Sequence, residues 1–510
     1  MITTRRRFIA LGGASMAAAL LTACGGGTST GDGKGEGSAG GASGGTLAFG
    51  AVSAGAAMAT DPHGSLFSES DWFAMSCLYD QLLLEEKGEL IPRLATEWTA
   101  NDDATVWTFK LRDDAVFADG EPVRAADVLH SMKRMNDLAA ENGMRLGTVD
   151  VEKSKTISDT ELEIATMSPD AELPSALAGN VFVVPEGVEK FDEPAGGGAF
   201  LLESSDGTTV VLKRNPEWWG GQEGAETVEI RGFSDPQAMS QAITTGALQA
   251  ASSLAPAAAA SVEKAGDRFT VRRREGAECY PLLLRIDAKP FDKPEVRRAI
   301  KMGLDRQALV DTVFLGYGVV GKDMIKHGQP GVPDAPEIER DVEGAKKLIA
   351  DADLGDDAKL VLHTTQAYPG MVPTATLAAE QLAEIGLEVE VTEHAPDEYW
   401  SGVYTAEPFC VGYWTDTSFA TTVRQTVLST SAFSETGWSD KEFDADFADA
   451  MSTTDEAERN EKIGKLHTRM AAEGGWVVWG FGDGVDVTAA GIEGWADGRA
   501  RYCLDKVTAG

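Results

Sequence analysis

The segment from residue 25 to residue 45 sets the strongest limit on what this chain can fold into, because eleven of its twenty-one residues are glycine. The others are mostly serine, threonine and a few charged residues, so the segment has too little apolar surface to form a core. We predict that it is a flexible tether. The globular part of the protein must therefore come from the roughly 465 residues that follow, which are enough for two or three domains.

The residues before the tether are typical of an export signal. Arginines at 5–7 precede an uncharged apolar stretch over 8–23, which is short for a membrane span. A small residue followed by Cys24 at the end of this stretch resembles a bacterial lipobox, and the paired arginines resemble the twin-arginine export motif. We expect a signal peptide over 1–23, a lipid-modified Cys24 and a tether over 24–45. An ordinary signal peptide with an incidental cysteine, exported by the general secretory route, is the alternative.

The charge of the chain limits its partners. Removal of the signal peptide takes away three arginines and no acidic residue, so the net charge changes from −36 to −39. Such a surface repels nucleic acid and anionic lipid headgroups, and no nucleic-acid partner is expected. The six histidines are scattered, without a pair at metal-ligand spacing, so we expect neither a metal site nor a cofactor.

Four cysteines remain once Cys24 is set aside: Cys77, Cys279, Cys410 and Cys503. Outside the cell an even number of cysteines favours disulfides, and four cysteines allow three pairings. The chain has no Cys-x-x-Cys motif, so neither a redox dithiol nor a zinc knuckle is indicated.

The periodicity of apolar residues predicts an α/β body with no internal repeat. Alternation over 105–111, 161–166 and 387–391 indicates half-buried strands, and the spacing of apolar residues over 125–135 indicates an amphipathic helix. Asp292 is the predicted N-cap of another helix that follows it. Alternating helices and strands favour an α/β fold.

The segment over 397–439 differs from the rest because it is rich in aromatic and hydroxyl side chains, including Tyr413 and Trp414. Ring faces bury apolar surface and hydroxyl groups fix orientation, so this lining suits a cleft for a small polar organic solute. The alternative is a well-packed core with surface loops.

Five blocks, taken together, resemble the family of extracellular solute-binding proteins that serve oligopeptide, dipeptide and nickel importers (family 5). The two most specific follow one another: Tyr-Asp-Gln-Leu-Leu with Ile-Pro-Arg-Leu-Ala-Thr-Glu-Trp, and Trp-Thr-Phe-Lys-Leu-Arg with Val-Phe-Ala-Asp-Gly-Glu-Pro-Val-Arg-Ala-Ala-Asp-Val. The five blocks lie at 79–98, 107–128, 213–219, 290–306 and 414–416. In order and spacing they cover residues 46 to about 500.

The resemblance implies a two-lobed periplasmic-binding-protein-like fold (type II, cluster C), with the solute enclosed between lobes that are joined by a pair of crossing segments. It places the first lobe at 46–66, 191–278 and 481–510, a β-rich insertion in that lobe at 67–190, and the second lobe at 279–480. Some peptide-binding relatives carry a disulfide between the regions of Cys279 and Cys410, which leaves Cys77 and Cys503 as the other pair.

The function implied is capture of a small solute by hinge closure, as a monomer anchored outside the cell, and delivery to a permease driven by ATPase subunits. In peptide-binding relatives an aspartate after the tryptophan binds the ligand's α-amine, a role that falls to Asp416, with Tyr413 and Trp414 as walls. The sequence departs from the family's Asp-Tyr-x-Asp-Pro here, which puts a peptide ligand in doubt. Asp61 and His63, in a turn of the first lobe, are further candidates to face the cleft, although a simple turn is the favoured interpretation of both.

Three functions stay open at this point. Di- or oligopeptides are the favoured ligands, and a non-peptide solute such as an oligosaccharide, an opine-like compound or a metal chelate is the alternative within the same fold. An enzyme or a sensory receptor is the alternative from another class. No nucleophile or acid–base pair in the sequence indicates catalysis.

Overall fold

The computed structural model describes residues 44–53, 59–64, 68–86, 88–138, 146–191, 194–415, 417–496 and 502–509. The predicted signal peptide, the predicted lipidation site Cys24 and the predicted amine anchor Asp416 therefore lie outside the described residues. Residues 42–510 form one compact unit. Within the described part of the chain, no helix is long and apolar enough to cross a membrane.

Strands and helices alternate along the body. The strands are β1 (Thr46–Val52), β2 (Leu83–Glu86), β3 (Glu89–Pro92), β4 (Ala95–Ala100), β5 (Val106–Leu111), β6 (Val149–Ser158), β7 (Glu161–Thr166), β8 (Phe200–Ser205), β9 (Thr209–Arg214), β10 (Thr227–Phe233), β11 (Ala250–Ala251), β12 (Phe269–Cys279), β13 (Leu282–Leu284), β14 (Gly318–Val320), β15 (Lys359–Thr365), β16 (Glu388–His394), β17 (Phe409–Val411), β18 (Trp414–Thr415), β19 (Trp476–Val477) and β20 (Gly480–Ala489). The main helices are α1 (Glu69–Leu78), α2 (Ala125–Asp137), α3 (Leu173–Leu177), α4 (Pro236–Thr245), α5 (Pro256–Glu263), α6 (Pro294–Gly303), α7 (Arg306–Val313), α8 (Val342–Asp351), α9 (Met371–Glu384), α10 (Phe419–Thr426), α11 (Lys441–Ser452) and α12 (Glu456–Glu473).

Two mixed sheets organise the molecule. The larger has nine strands in the order β18-β12-β20-β11-β1-β10-β9-β8, with β14 also paired to β20. The second has five strands in the order β16-β15-β17-β13-β19. Parallel pairing occurs at β1–β10, β1–β11, β15–β16 and β15–β17, and the other pairs are antiparallel. An antiparallel sheet of β4, β5, β7 and β6 and the hairpin β2–β3 lie between β1 and β8 in the chain.

Each of the three larger sheets has its own hydrophobic core. Aromatic and aliphatic side chains of β1, α1, β10 and the C-terminal segment form one core. The alternating residues of β5, among them Trp107 and Phe109, pack with α2 in the second. Residues 279–481 provide the third and largest core, which covers the five-stranded sheet. Burial of one face of each amphipathic element against a sheet is what stabilises such layers.

The predicted elements are found, with small shifts at their ends. Strands appear at Val106–Leu111, Glu161–Thr166 and Glu388–His394. Gly386, between α9 and β16, has a φ of +95°, a conformation that glycine adopts without strain. The predicted N-cap Asp292 is wrong, because the N-cap of α6 is Lys293 and its side chain makes no capping hydrogen bond. Pro294 fixes the first turn instead, since its ring presets a helical φ.

The structure forms neither disulfide of the pairing that the resemblance implied, but the Cys77 and Cys503 thiols lie close enough to interact electrostatically, so that pair stays a prediction. Cys77, Cys279, Cys410 and Cys503 are buried free thiols. Cys279 is paired with Trp414 in the nine-stranded sheet, whereas Cys410 is paired with a leucine of β13 in the five-stranded sheet. This register separates the two cysteines by about four strand positions, roughly 13 Å, and a disulfide needs Cα atoms about 4.4–6.8 Å apart.

Candidate functional site

The chain passes between the two large sheets at three neighbouring points. It leaves the nine-stranded sheet at the end of β12 and enters the five-stranded sheet at β13. It crosses in the opposite direction from β17 to β18 and again from β19 to β20. Each crossing takes only two residues: 280–281, 412–413 and 478–479. Side chains near these crossings can therefore contact groups held by either sheet.

A small cavity lies at these crossings, with about 10 Å³ open to water, enough for roughly one water molecule. Its walls come from the ends of β12 and β18, from β20 and from the segment after β14. They comprise Gly276, Glu278, Cys279, Ile325, Lys326, His327, Trp414, Thr415 and Phe481. The cavity thus brings one predicted ligand residue, Trp414, together with charged side chains that sequence reasoning did not select.

Trp414 is a buried wall residue that is held in place by a carboxylate. Its Nε1 donates to Glu435 Oε1 at 2.8 Å, and Nε1 of Trp476 donates to Glu435 Oε2 at 3.0 Å. The hydroxyl of Tyr404 donates to the same carboxylate. Burial raises the pKa of Glu435, and the positive charge of Lys326 opposes that rise. Tyr404 and Trp476 hold the Glu435 carboxylate in place, and the hydrogen bond from Trp414 to that carboxylate fixes the orientation of the Trp414 ring beside the cavity.

Tyr413 belongs to an aromatic stack. Its ring lies parallel to that of Tyr368, with 3.5 Å between centroids, and tilted to that of Tyr280, with 5.6 Å between centroids. Tyr368 contacts the partly exposed Trp400 edge to face. Burial, with the nearby charge of Glu278, raises the pKa of Tyr413. The segment over 397–439 thus supplies aromatic side chains next to the crossings, some of them packed in the core, and their contact with a ligand stays a prediction.

Glu278 is the acidic group of this site. It lies opposite Thr415 in the β12–β18 ladder, and its Oε2 accepts a hydrogen bond of 3.1 Å from the hydroxyl of Tyr280. Burial raises the pKa of the Glu278 carboxyl, and the hydrogen bond from Tyr280 opposes the rise. The sequence signal for this residue was an acidic side chain directly before the apolar run over 279–284.

Lys326 is the basic group of the cavity wall. Only 3% of its surface is exposed, and its Nζ donates to Thr417 Oγ1 at 3.1 Å. Burial raises the pKa of both the Glu435 carboxyl and the Cys279 thiol, and the positive charge of Lys326 opposes both rises. No periodic pattern marked this lysine, since it lies in a segment without regular structure.

Two other predicted residues lie in the turn after β1 and already have partners. The Asp61 carboxylate accepts two hydrogen bonds from the Arg134 guanidinium, at 2.7 and 2.5 Å. Burial opposes ionisation of Asp61, but the hydrogen bonds from Arg134 hold its pKa below the usual value. His63 is fully buried, and its Nε2 lies 2.8 Å from the carbonyl oxygen of Phe182. These contacts fit the simple turn, and ligand contact by either side chain stays a prediction.

In the described part of the chain, no group of three or more histidine, cysteine, aspartate or glutamate side chains is arranged to hold a metal ion. Asp416 is adjacent in sequence to Thr415 and Thr417, which both lie at this site. Asp416 itself is not among the described residues.

A model of the bacterial extracellular solute-binding proteins of family 5, in its middle region, matches residues 89–435, more than half of the chain. The chain belongs to this family. Its members bind solutes and are not enzymes, so the predicted family and the prediction of a binding protein are both confirmed.

Known proteins support the same assignment. The glutathione-binding protein GsiB of Escherichia coli K12 is 22% identical over 440 residues, which cover 82% of this chain and 85% of GsiB. The ABC transporter substrate-binding protein CtaP of Listeria monocytogenes superposes with a TM-score of 0.79 at 20% identity, covering 92% of this chain and 99% of CtaP. The oligopeptide-binding protein AppA of Bacillus subtilis, in complex with a nonapeptide, gives a TM-score of 0.71 at 19% identity, covering 92% and 100%. The two-lobed α/β fold is thereby confirmed.

Proposed function

We propose that this family 5 protein is the exported, lipid-anchored binding protein of an ABC importer, and that it captures small peptides between its lobes. Family membership is the observation that carries the proposal. The protein would bind a solute outside the cell and present it to a permease driven by ATPase subunits. The peptide ligand is supported by the names of two similar proteins, since glutathione is itself a tripeptide and AppA was solved with a nonapeptide.

The crossings between the sheets support hinge closure as the mechanism. A ligand that contacts groups of both sheets stabilises the arrangement in which those groups are close, and so shifts the population toward it. All strands that line the cavity at the crossings belong to the nine-stranded sheet, but by the lobe boundaries proposed here Glu278 and Phe481 fall in the first lobe and Lys326 and Trp414 in the second. The lobe boundaries proposed are 46–66, 191–278 and 481–510 for the first lobe and 279–480 for the second.

We place the ligand against the aromatic wall of Tyr413 and Trp414, with Asp416 as a candidate partner for an amine. Aromatic faces bury the apolar part of a peptide, and a buried ammonium needs an opposite charge. Anchoring through Cys24 rests on the lipobox-like end of the apolar stretch over 8–23. The protein would then stay at the outer face of the membrane.

The proposal is tested by native mass spectrometry of the protein without its tether, purified from its own secretions. Denaturing desolvation then releases any solute that was purified with it. We expect a heterogeneous set of small peptides, and we expect Asp416→Asn to lower the bound fraction at least tenfold, because an amide does not compensate the ammonium charge.

A single non-peptide mass would rule out the peptide ligand and leave the binding function in place. Glu390→Gln, an exposed residue of β16, is the matched control, since it removes the same charge away from the cavity. Loss of bound solute in that control would show that net charge, rather than Asp416, determines occupancy.

A further inference from the structure

Residues 169–172, between β7 and α3, connect the proposed insertion of the first lobe with the proposed second lobe. We call them the bridging segment. The guanidinium of Arg424, on α10, pairs with the carboxylate of Asp170, with 3.1 Å between Nη1 and Oδ2. Nη2 of Arg424 donates to the carbonyl oxygen of Pro169 at 3.4 Å. One arginine of the second lobe therefore contacts two neighbouring groups of the insertion.

Two backbone groups extend the contact to both ends of a helix pair. The N–H of Ala171 donates to the carbonyl oxygen of Met451, in the last turn of α11, at 2.8 Å. The N–H of Ala420, in the first turn of α10, donates to Glu172 Oε2 at 3.2 Å. The bridging segment thus contacts the two helices that follow the crossing at 412–413.

The bridging segment is fixed within the insertion itself. Nε1 of Trp107 donates to the carbonyl oxygen of Asp170 at 3.0 Å, and the N–H of Asp170 donates to the carbonyl oxygen of Ala104 at 2.9 Å. The hydroxyl of Thr148 donates to Asp170 Oδ2 at 2.5 Å. These three bonds place the Asp170 carboxylate independently of the second lobe, so it is preorganised to receive Arg424.

Protein surrounds this contact. Asp170, Ala420 and Met451 are buried. Burial raises the pKa of the Glu172 carboxyl, and the hydrogen bond from Ala420 opposes that rise. Carboxylates removed from water need partners. Separation of the lobes at this point would break the pair of Asp170 and Arg424 and admit water, so the pair favours the arrangement in which the lobes are together.

The bridging segment can act on solute binding through closure alone, since neither Asp170 nor Arg424 lines the cavity at the crossings. The apparent affinity of a protein with two arrangements is reduced by the fraction of molecules that is competent to bind. A contact that favours the closed arrangement without a solute changes that fraction. The same contact must break before an enclosed solute can leave.

We propose that Asp170 and Arg424 are positioning residues for solute binding. Their ion pair holds the insertion against the second lobe, raises the closed population of the empty protein and slows release of the solute. This inference rests on the proposed solute-binding function and assigns the insertion a part in it.

The first test measures closure without a solute. The mature protein is freed of solute by unfolding and refolding, and single-molecule energy transfer is recorded between dyes at Ile157→Cys and Val361→Cys. Both positions are exposed, one in the insertion and one in the second lobe, whereas the four native thiols are buried. We expect Arg424→Gln to lower the ratio of closed to open molecules about tenfold, because it leaves the Asp170 carboxylate without its cation only in the closed form.

Two further variants distinguish positioning from a general loss of structure. Arg424→Lys should keep most of the closed population, because an ammonium group still pairs with Asp170. Arg298→Gln, at an exposed arginine of α6, removes the same charge elsewhere in the second lobe and should leave the ratio unchanged. A residue with only a structural role would lower the melting temperature and leave the closed-to-open ratio of the folded molecules as it was.

The second test follows solute release. Native mass spectrometry records how fast the protein loses the mass of its co-purified solute after dilution, and we expect Arg424→Gln to release it about tenfold faster. An unchanged closed-to-open ratio, an unchanged release rate from occupied protein, or equal changes in Arg298→Gln would overturn the role of the ion pair and leave solute binding intact. Fewer closed molecules in Arg424→Gln, with no co-purified solute in any variant, would support the ion pair and refute the proposed function.

Discussion

His467, on α12, is a buried histidine with no compensating hydrogen bond. None of its surface is exposed, neither ring nitrogen has a hydrogen-bond partner among the described residues, and its ring centroid lies 4.4 Å from that of Phe419. Burial, together with the positive charge of Lys326, lowers the pKa of His467 from 6.5 to about 3. The folded protein therefore holds this imidazole neutral over most of the acidic range.

Acid should destabilise the protein through this residue. The unfolded chain protonates His467 below its ordinary pKa of 6.5, and the folded chain does so only near 3, so stability falls as pH decreases between these values. At pH 5, His467 should lower the free energy of unfolding by about 2 kcal/mol relative to its value well above pH 6.5. His467→Leu should remove this dependence and be neutral or stabilising at pH 7.5. Urea unfolding at pH 7.5 and pH 5 measures both effects.

His130→Gln is the control, since this residue of α2 is only half-buried. It should keep the wild-type difference between the two pH values. If His467→Leu also kept that difference, another group would be responsible for the acid sensitivity.

At the scale of elements, one buried ion pair connects three segments. Arg306, at the start of α7, donates to Asp323 at 2.9 Å and to the carbonyl oxygen of Val478 at 2.9 Å. Asp323 Oδ1 accepts from the backbone N–H of Val478 at 3.0 Å. The pair thus attaches α7 and the segment after β14 to the crossing between β19 and β20.

Removal of one charge of this pair should be strongly destabilising. Asp323→Asn keeps a side chain that tolerates the positive φ of this position but leaves the Arg306 guanidinium without a counter-charge. We expect the free energy of unfolding to fall by about 3–5 kcal/mol, as measured by urea unfolding.

The exposed pair of Lys110 and Glu97, 2.7 Å apart, provides the comparison. Glu97→Gln should cost less than about 1 kcal/mol, because water screens that pair. Equal losses in the two variants would contradict the importance of burial.

The sequence predicted strands and helices correctly where the signal was the periodicity of apolar residues within one segment. The alternation of Trp107 and Phe109 placed β5 within one residue of its observed start, since side chains of a strand point alternately to its two faces. The N-cap Asp292 was misplaced by one residue because the proline at 294 sets the start of α6 without a side-chain cap. Helix ends depend on such details more than helix interiors do.

For the molecule as a whole, the charge of −36 should oppose compactness through self-repulsion. Salt screens repulsion between exposed charges, with a Debye length of about 10 Å at 0.1 M. We expect the melting temperature to rise by a few degrees when sodium chloride is raised from about 20 to about 300 mM. Choline chloride should give the same shift, because screening depends on ionic strength. A fall in melting temperature with both salts would mean that attractive ion pairs outweigh the repulsion.

The sequence by itself determined the family, the two-lobed α/β class and most strands and helices, because these depend on local periodicity and on motifs in order along the chain. It also indicated that aromatic side chains cluster around Tyr413 and Trp414, and their role as a ligand wall stays a prediction. The tertiary structure alone decided that Glu278 lies opposite Thr415, that Cys279 and Cys410 fall in different ladders, and that His467 is buried. Such relations depend on the register between strands distant in the chain, and a shift of a single residue in that register turns every side chain of a strand to the other face.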